Sequence, residues 1–205
     1  MTALIDYGAG NLKSVFNALD LLGEDCRITH SAQDLVEADR IILPGVGAFG
    51  ECMRQFVESG LEETLREEVL DRKKPFLGIC VGMQMLATKG FEQGEHRGLG
   101  FLPGEIHRLT PADERLKVPH TGWNDVEVIR EHQLLKGLLA DRAFYFTHSY
   151  HFVAEDAATV VATAGFGGPM VAAVGRDNIF ATQFHPEKSQ RNGLRLLENF
   201  IEWVP

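Results

Sequence analysis

Residues 75–79 read Pro-Phe-Leu-Gly-Ile, a short run that narrows the possible folds more than any other. Successive side chains of a strand point to opposite faces, and here both faces are apolar. Such a strand has to be covered on both sides, as inner strands of a parallel sheet are when helices lie over each face. The run then passes directly into Gly78-Ile79-Cys80-Val81-Gly82, where the chain turns from strand to helix. A turn that sharp leaves little room around its central residue, so its neighbours must be small, and its side chain projects from the end of the sheet.

The rest of the chain fits a sheet of that kind. TALIDY (2–7) reads as a strand. After it Leu12, Val15, Phe16, Leu19 and Leu22 recur at helical spacing, with Gly23 as the stop. RIILPG (40–45) is a second strand, and GLEETLREEVLDR (60–72) a helix with its charges outward. Strands alternating with helices predict a doubly wound α/β architecture. From Gly104 to Ala181 the pattern changes to strand-like runs, VEVI, AFYFTHSYHFV, TVVATA, MVAAVG and IFATQF, before a last helix from about Asn192 to Trp203. The expected fold is α/β: a mixed, mostly parallel sheet flanked by helices, strand-rich in its second half, forming one domain over residues 1–205. Ligands of such sheets bind at the carboxyl ends of the strands.

Composition removes several classes of function. With 44% apolar and 24% charged residues the chain has the balance of an ordinary soluble protein. The formal net charge is −9, with no Lys/Arg cluster, which argues against nucleic-acid binding. No apolar run approaches the roughly 20 residues a membrane span needs. MTALIDYG has no basic segment leading into an apolar one, so no signal peptide is expected. The three cysteines, Cys26, Cys52 and Cys80, are too few and too widely spaced for a disulfide framework, and there is no CxxC pair for zinc. The expected setting is the reducing cytoplasm, with neither metal nor cofactor.

Gly8-Ala9-Gly10, between a strand and a helix, invites a dinucleotide reading. The third glycine of that fingerprint is missing, since Lys13 occupies its place, and no acidic residue ends the second strand. The glycines are better read as a tight turn, or as a backbone that, with Asn11, turns N–H groups toward an anion.

Cys80 sits where a nucleophile would. A thiol at the start of a helix and near a histidine ionises more readily, and the N–H of Val81 is placed like an oxyanion donor. The plain alternative is a buried structural cysteine, which is the reading taken for Cys26 and Cys52. A thiol nucleophile needs a base, and the base an orienting group. Of the eight histidines, His30, His96, His107 and His132 lie in polar, loop-like stretches and read as solvated. His185 ends the apolar run IFATQF and precedes Pro186-Glu187, so Glu187 can reach back to its ring. Cys80, His185 and Glu187 would complete a relay at the carboxyl ends of two strands.

GICVGMQ followed about a hundred residues later by HPEKS resembles the class I glutamine amidotransferases, whose triad is Cys-His-Glu. IDYGAGNLKSV, LPGVGAFG, PHTGWNDV and THSYHF are together similar to the glutaminase subunits of imidazole glycerol phosphate synthase, and the likeness covers nearly the whole chain. It departs at Thr121, where the related segment has methionine. The resemblance implies that Cys80 attacks the side-chain amide of glutamine, His185 protonates the leaving ammonia and then activates water, and Glu187 orients His185. It implies an oxyanion hole from Val81 and the Val46-Gly47 backbone, in a glycine loop able to flip a peptide. It further implies substrate contacts from Gln84, Glu92, Ser149 and Tyr150. A partner is implied too: a (β/α)₈-barrel cyclase that consumes the ammonia, docked on Asn11, Ser14, His120, Trp123, Asn124, Tyr145 and Lys188. The competing readings are another glutaminase of the same class, a cysteine hydrolase or peptidase on a related scaffold, and a non-catalytic regulatory module.

Overall fold

The computed structural model describes all residues, 1–205. The buried apolar runs become the first four strands: β1 (Thr2–Ile5), β2 (Cys26–Thr29), β3 (Arg40–Gly45) and β4 (Phe76–Cys80). All four residues of β1, and all five of β4, are buried, as strands covered on both faces must be. Between them come α1 (Leu12–Leu21), α2 (Ala32–Glu37), α3 (Phe49–Glu58) and α4 (Glu62–Arg66). Cys80 leads directly into α5 (Val81–Gln84), a single helical turn.

The second half begins with short strands β5 (Lys89–Gly90) and β6 (His96–Arg97), then β7 (Gly104–Arg108) and the long β8 (His120–Val128). After them come β9 (Ala143–His148), β10 (Tyr150–Ala154), β11 (Val160–Gly165), β12 (Pro169–Arg176), β13 (Ile179–Thr182) and α6 (Gln190–Glu202). Nine strands form one sheet in the order β2-β1-β3-β4-β13-β12-β11-β8-β9, and β10-β7-β5-β6 form a second. The large sheet is parallel from β2 to β13 and antiparallel from β13 to β9. One connected apolar core runs from Ala3 to Trp203. No helix is long and apolar enough to cross a membrane.

Three details differ from the expected elements. AFYFTHSYHFV is not one strand: it breaks at Ser149, and its halves β9 and β10 pair with β8 and β7 in different sheets. Apolar alternation carries no sign of a change of sheet; the break shows only in the pairing, where the Ser149 carbonyl accepts the Leu109 N–H at 2.8 Å. The helix over 60–72 widens after Arg66 into a π-helical turn, Glu67–Asp71. Its charges are not all outward: Glu68 is fully buried, with Lys74 at 2.8 Å and Arg72 at 3.3 Å. That burial is tolerated because cationic side chains face it. Finally, of the four histidines read as solvated, His132 is packed, while the His107 side chain stays 43% exposed. His107 lies in β7, stacked on Phe91 and 2.8 Å from Glu105. His132 lies against Phe180, and burial pushes it down to about 4.

Candidate active site

Register explains why the expected catalytic residues meet. In β3 and β4, Gly45 stands beside Cys80. In β13 and β4, Thr182 stands beside Ile79, so the chain leaving β13 passes Cys80 and delivers His185 just beyond it. Three parallel strands therefore end together, and Cys80 at the end of β4, with Val46 and His185 just beyond β3 and β13, lines one cavity of about 290 Å³.

Cys80 has φ 55° and ψ −110°, a backbone rarely held by a residue with a side chain. The glycines around it are sterically required. A Cβ on Gly82 would stand 1.9 Å from the Leu43 carbonyl oxygen, and one on Gly78 3.0 Å from the Gly82 oxygen. Because α5 is one turn long, what reaches the sulfur is its first N–H groups rather than the summed dipole of a long helix.

His185 is 1% exposed. Its N–H donates to the Tyr145 carbonyl at 2.9 Å, and its Nδ1 lies 2.8 Å from Glu187 Oε1. Pro186–Lys188 form a 3-10 turn, which brings Glu187 back beside the ring. Nε2 is buried, makes no hydrogen bond, and is left for Cys80 and whatever occupies the cavity. Burial is the largest influence on this ring and pushes it down. The hydrogen-bonding reach and charges of Cys80 and Glu187 together outweigh burial and raise it to about 10. The site thus favours the protonated, imidazolium form of His185.

Val46, Gly47 and Val81, expected in the oxyanion hole, and Gln84, Glu92, Ser149 and Tyr150, expected to touch substrate, all line the same cavity. Gly47 has φ +112°, the region that favours glycine. The loop is anchored from below: the Tyr7 hydroxyl donates to the Pro44 carbonyl at 2.9 Å, and the Cys52 thiol to the Val46 carbonyl at 3.4 Å. Glu92 Oε2 accepts the first N–H of α3, from Phe49, at 2.7 Å, tying its segment to the loop. Gln84 gives its amide protons to the Tyr150 carbonyl at 2.9 Å and Gln183 Oε1 at 3.0 Å.

Gln183 and His148 escaped the sequence reading. Gln183 is fully buried, and its Nε2 lies 3.7 Å from Cys80 Sγ. The available signal was a glutamine in the apolar run IFATQF, a polar side chain that has to find partners when buried. His148 lines the cavity, and its Nδ1 lies 2.8 Å from the Tyr150 carbonyl.

The expected docking residues divide in two. Trp123 is 50% exposed. It meets the Tyr145 ring edge-on at 6.1 Å, and Lys188 Nζ lies 5.9 Å from the same ring. Asn11, at the start of α1, and Ser14 are half-buried, and α1 packs against the turn that carries Lys188. His120 and Asn124 point to the other face of β8. His120 is 5% exposed, so its ring cannot itself be a docking contact; its Nδ1 is 3.1 Å from His148 Nε2, and its Nε2 is 3.1 Å from Asn124 Nδ2. Thr121 is exposed, beside Thr147 across the strand pair.

The family model for "Glutamine amidotransferase class-I" matches residues 3–203. This chain belongs to the class I glutamine amidotransferases. It is 48% identical to the imidazole glycerol phosphate synthase subunit HisH of Rhodospirillum rubrum, over 99% of both chains. It is 50% identical to the HisH subunit of Zymomonas mobilis, covering 99% of this chain and 96% of that one. Within the amidotransferases the chain therefore belongs to the HisH family. Solved structures share the fold. PurLQS from Thermotoga maritima superposes with a TM-score of 0.73 at 18% identity, over 100% of this chain and 98% of that one. A structure described as a glutamine amidotransferase gives 0.73 at 22%, over 98% and 97%.

Proposed function

We propose that Cys80, His185 and Glu187 are the catalytic triad of a glutaminase subunit of imidazole glycerol phosphate synthase, acting in histidine biosynthesis. The Cys80 thiolate attacks the side-chain carbonyl carbon of glutamine. The resulting oxyanion is held by the N–H of Val81 and by the Val46-Gly47 backbone. His185 gives its proton to the amide nitrogen, the C–N bond breaks, and ammonia leaves. His185 then takes a proton from water, whose oxygen attacks the thioester; the C–S bond breaks, glutamate leaves, and the thiolate and protonated His185 that began the cycle are restored. Glu187 keeps Nδ1 protonated and Nε2 aimed at the sulfur. Gln84, Glu92, Ser149 and Tyr150 position the amino acid. The carrying observation is His185, bound to Glu187 through Nδ1 and open through Nε2 to the cavity that holds Cys80. That cavity is at the small end of ligand pockets and suits a free amino acid better than a peptide.

Ammonia released into water is protonated and stops being a nucleophile, so a glutaminase of this kind works against a second active site. We assign that site to a (β/α)₈-barrel cyclase docked over Trp123, Tyr145 and Lys188, with Asn11 and Ser14 at its margin. The single glutaminase domain and its partner would work in the reducing cytoplasm, in keeping with three unpaired cysteines. The test is glutamine hydrolysis by the chain alone and with the cyclase and its ribonucleotide ligand. Strong activation is expected on mixing, and Cys80→Ser should abolish hydrolysis while the complex still makes product from supplied ammonia. Unchanged activity on mixing would place the chain with a different partner; hydrolysis surviving in Cys80→Ser would end the triad assignment.

A further inference from the structure

The hydrogen bonds around the cavity form one continuous path whose direction is determined at every step. The Tyr150 carbonyl can only accept, so His148 Nδ1 donates to it at 2.8 Å. Neutral His148 then presents a lone pair at Nε2, and His120 Nδ1 donates to it at 3.1 Å. His120 Nε2 in turn accepts from Asn124 Nδ2, which also donates to the Gly165 carbonyl at 2.8 Å. Both histidines stay neutral because burial disfavours their charged forms. A proton on His148 Nε2 would set it against the proton on His120 Nδ1 and break the path.

The Tyr150 carbonyl accepts a second hydrogen bond, from Gln84 Nε2. Gln84's other amide proton goes to Gln183 Oε1, which settles which end of the Gln183 amide is oxygen. The nitrogen end is therefore the one facing Cys80 Sγ, at 3.7 Å. Gln183 is fully buried and Gln84 nearly so, at 2% exposure, so neither amide can turn over without leaving polar atoms unpaired.

We propose that Gln183 is a fourth member of the catalytic centre, whose amide N–H holds the Cys80 sulfur in place and favours its thiolate. This rests on the reading of Cys80 as the nucleophile. A charge-assisted N–H···S⁻ contact strengthens as the thiol ionises and weakens as sulfur bonds to carbon, and the proton that leaves the thiol goes to His185 Nε2. The other titratable groups around the sulfur are Glu187 beside His185, Tyr7 after β1, Cys52 on α3, and Glu92 and His148 across the cavity.

The test is the rate at which iodoacetamide alkylates Cys80 between pH 5 and 10, read by peptide mass spectrometry on the full chain. Burial pushes the Cys26 thiol up to about 12 and the Cys52 thiol up to about 11, so neither competes near neutral pH. Gln183→Met keeps the volume and removes the donor; alkylation near neutral pH should slow about tenfold, its midpoint moving to higher pH. Glutamine hydrolysis should lose kcat, and KM should rise in Gln183→Met, which also removes the acceptor for Gln84, but not in Gln183→Glu, which keeps it. If Gln183→Met does not fold, Gln183→Glu keeps the acceptor for Gln84 and sets a carboxylate against the sulfur, which should slow alkylation further. A folded variant with the wild-type pH profile would overturn the proposal. If glutamine fails to protect Cys80 in the wild-type protein, the nucleophile reading itself falls, and that result is separable from the first.

Discussion

Two buried histidines face the same cavity from opposite halves of the large sheet, and they hold protons in opposite ways. His185, at the end of the parallel half, has Glu187 at 2.8 Å and Cys80 nearby, and is raised to about 10. His148, at the end of β9 in the antiparallel half, has a carbonyl on one nitrogen and a neutral ring on the other. Burial, unopposed by any carboxylate, pushes it down to about 3. Burial acts on both; what separates them is the charge of the partner. The ring proposed to move protons has acidic partners. A ring that must hold a backbone carbonyl still is kept neutral. The same division runs through the two halves: the parallel strands end in reactive groups, while the β8–β9 pair supplies a hydrogen-bonded inner face and, around Trp123, an aromatic outer one.

The largest expected effect breaks the reactive side of that contrast. His185→Ala should lower glutamine hydrolysis by about 10²–10⁴-fold, the usual share of general acid–base catalysis, while the fold survives. Near-normal steady-state turnover would remove His185 from the chemistry. A middle-sized effect concerns the outer face of β8–β9. Trp123→Ala removes a half-exposed aromatic anchor and should weaken binding of the cyclase about 30-fold or more, with hydrolysis by the isolated chain unchanged. Calorimetric titration of the two subunits measures it, and an unaltered affinity would move the docking surface elsewhere.

The smallest effect sharpens the contrast itself. His148 is lowered from 6.5 in the folded chain, so its contribution to stability is present above pH 6.5 and lost as pH falls toward about 3. His185 is raised, so its contribution is full below pH 6.5 and lost as pH rises through about 10. Thermal midpoints measured across pH should fall on both sides. His148→Gln should flatten part of the acid side only, because His120, His132 and His151 are also lowered. An acid side as steep as that of the wild type would show that His148 is not held neutral.

Much of the parallel half was legible from the residues alone. PFLGI, RIILPG and TALIDY declare themselves because a strand buried on both faces must be apolar at every position, and Gly78 and Gly82 mark the turn because no other residue fits there. The proposed triad could be read for a similar reason: Cys80 and His185 each close an apolar run, and Glu187 is local to His185. Gln183 and His148 could not be singled out this way. A glutamine in an apolar run shows only that a partner exists; the partner here is Gln84, 99 positions away. His148 looked like one polar residue in a long strand, because periodicity does not show that β9 and β10 belong to different sheets.

The sequence by itself determined the layered α/β fold and the strand-to-helix turn at Cys80, since these follow from local spacing, side-chain size and burial on both faces; its resemblance to the amidotransferases supplied the proposed triad. Only the tertiary structure decided which face of β8 each residue takes, putting Trp123 outside and His120 inside, and which amide nitrogen meets the Cys80 sulfur. Those outcomes depend on strand pairing between distant segments, where the pairing register sets which side chain meets which.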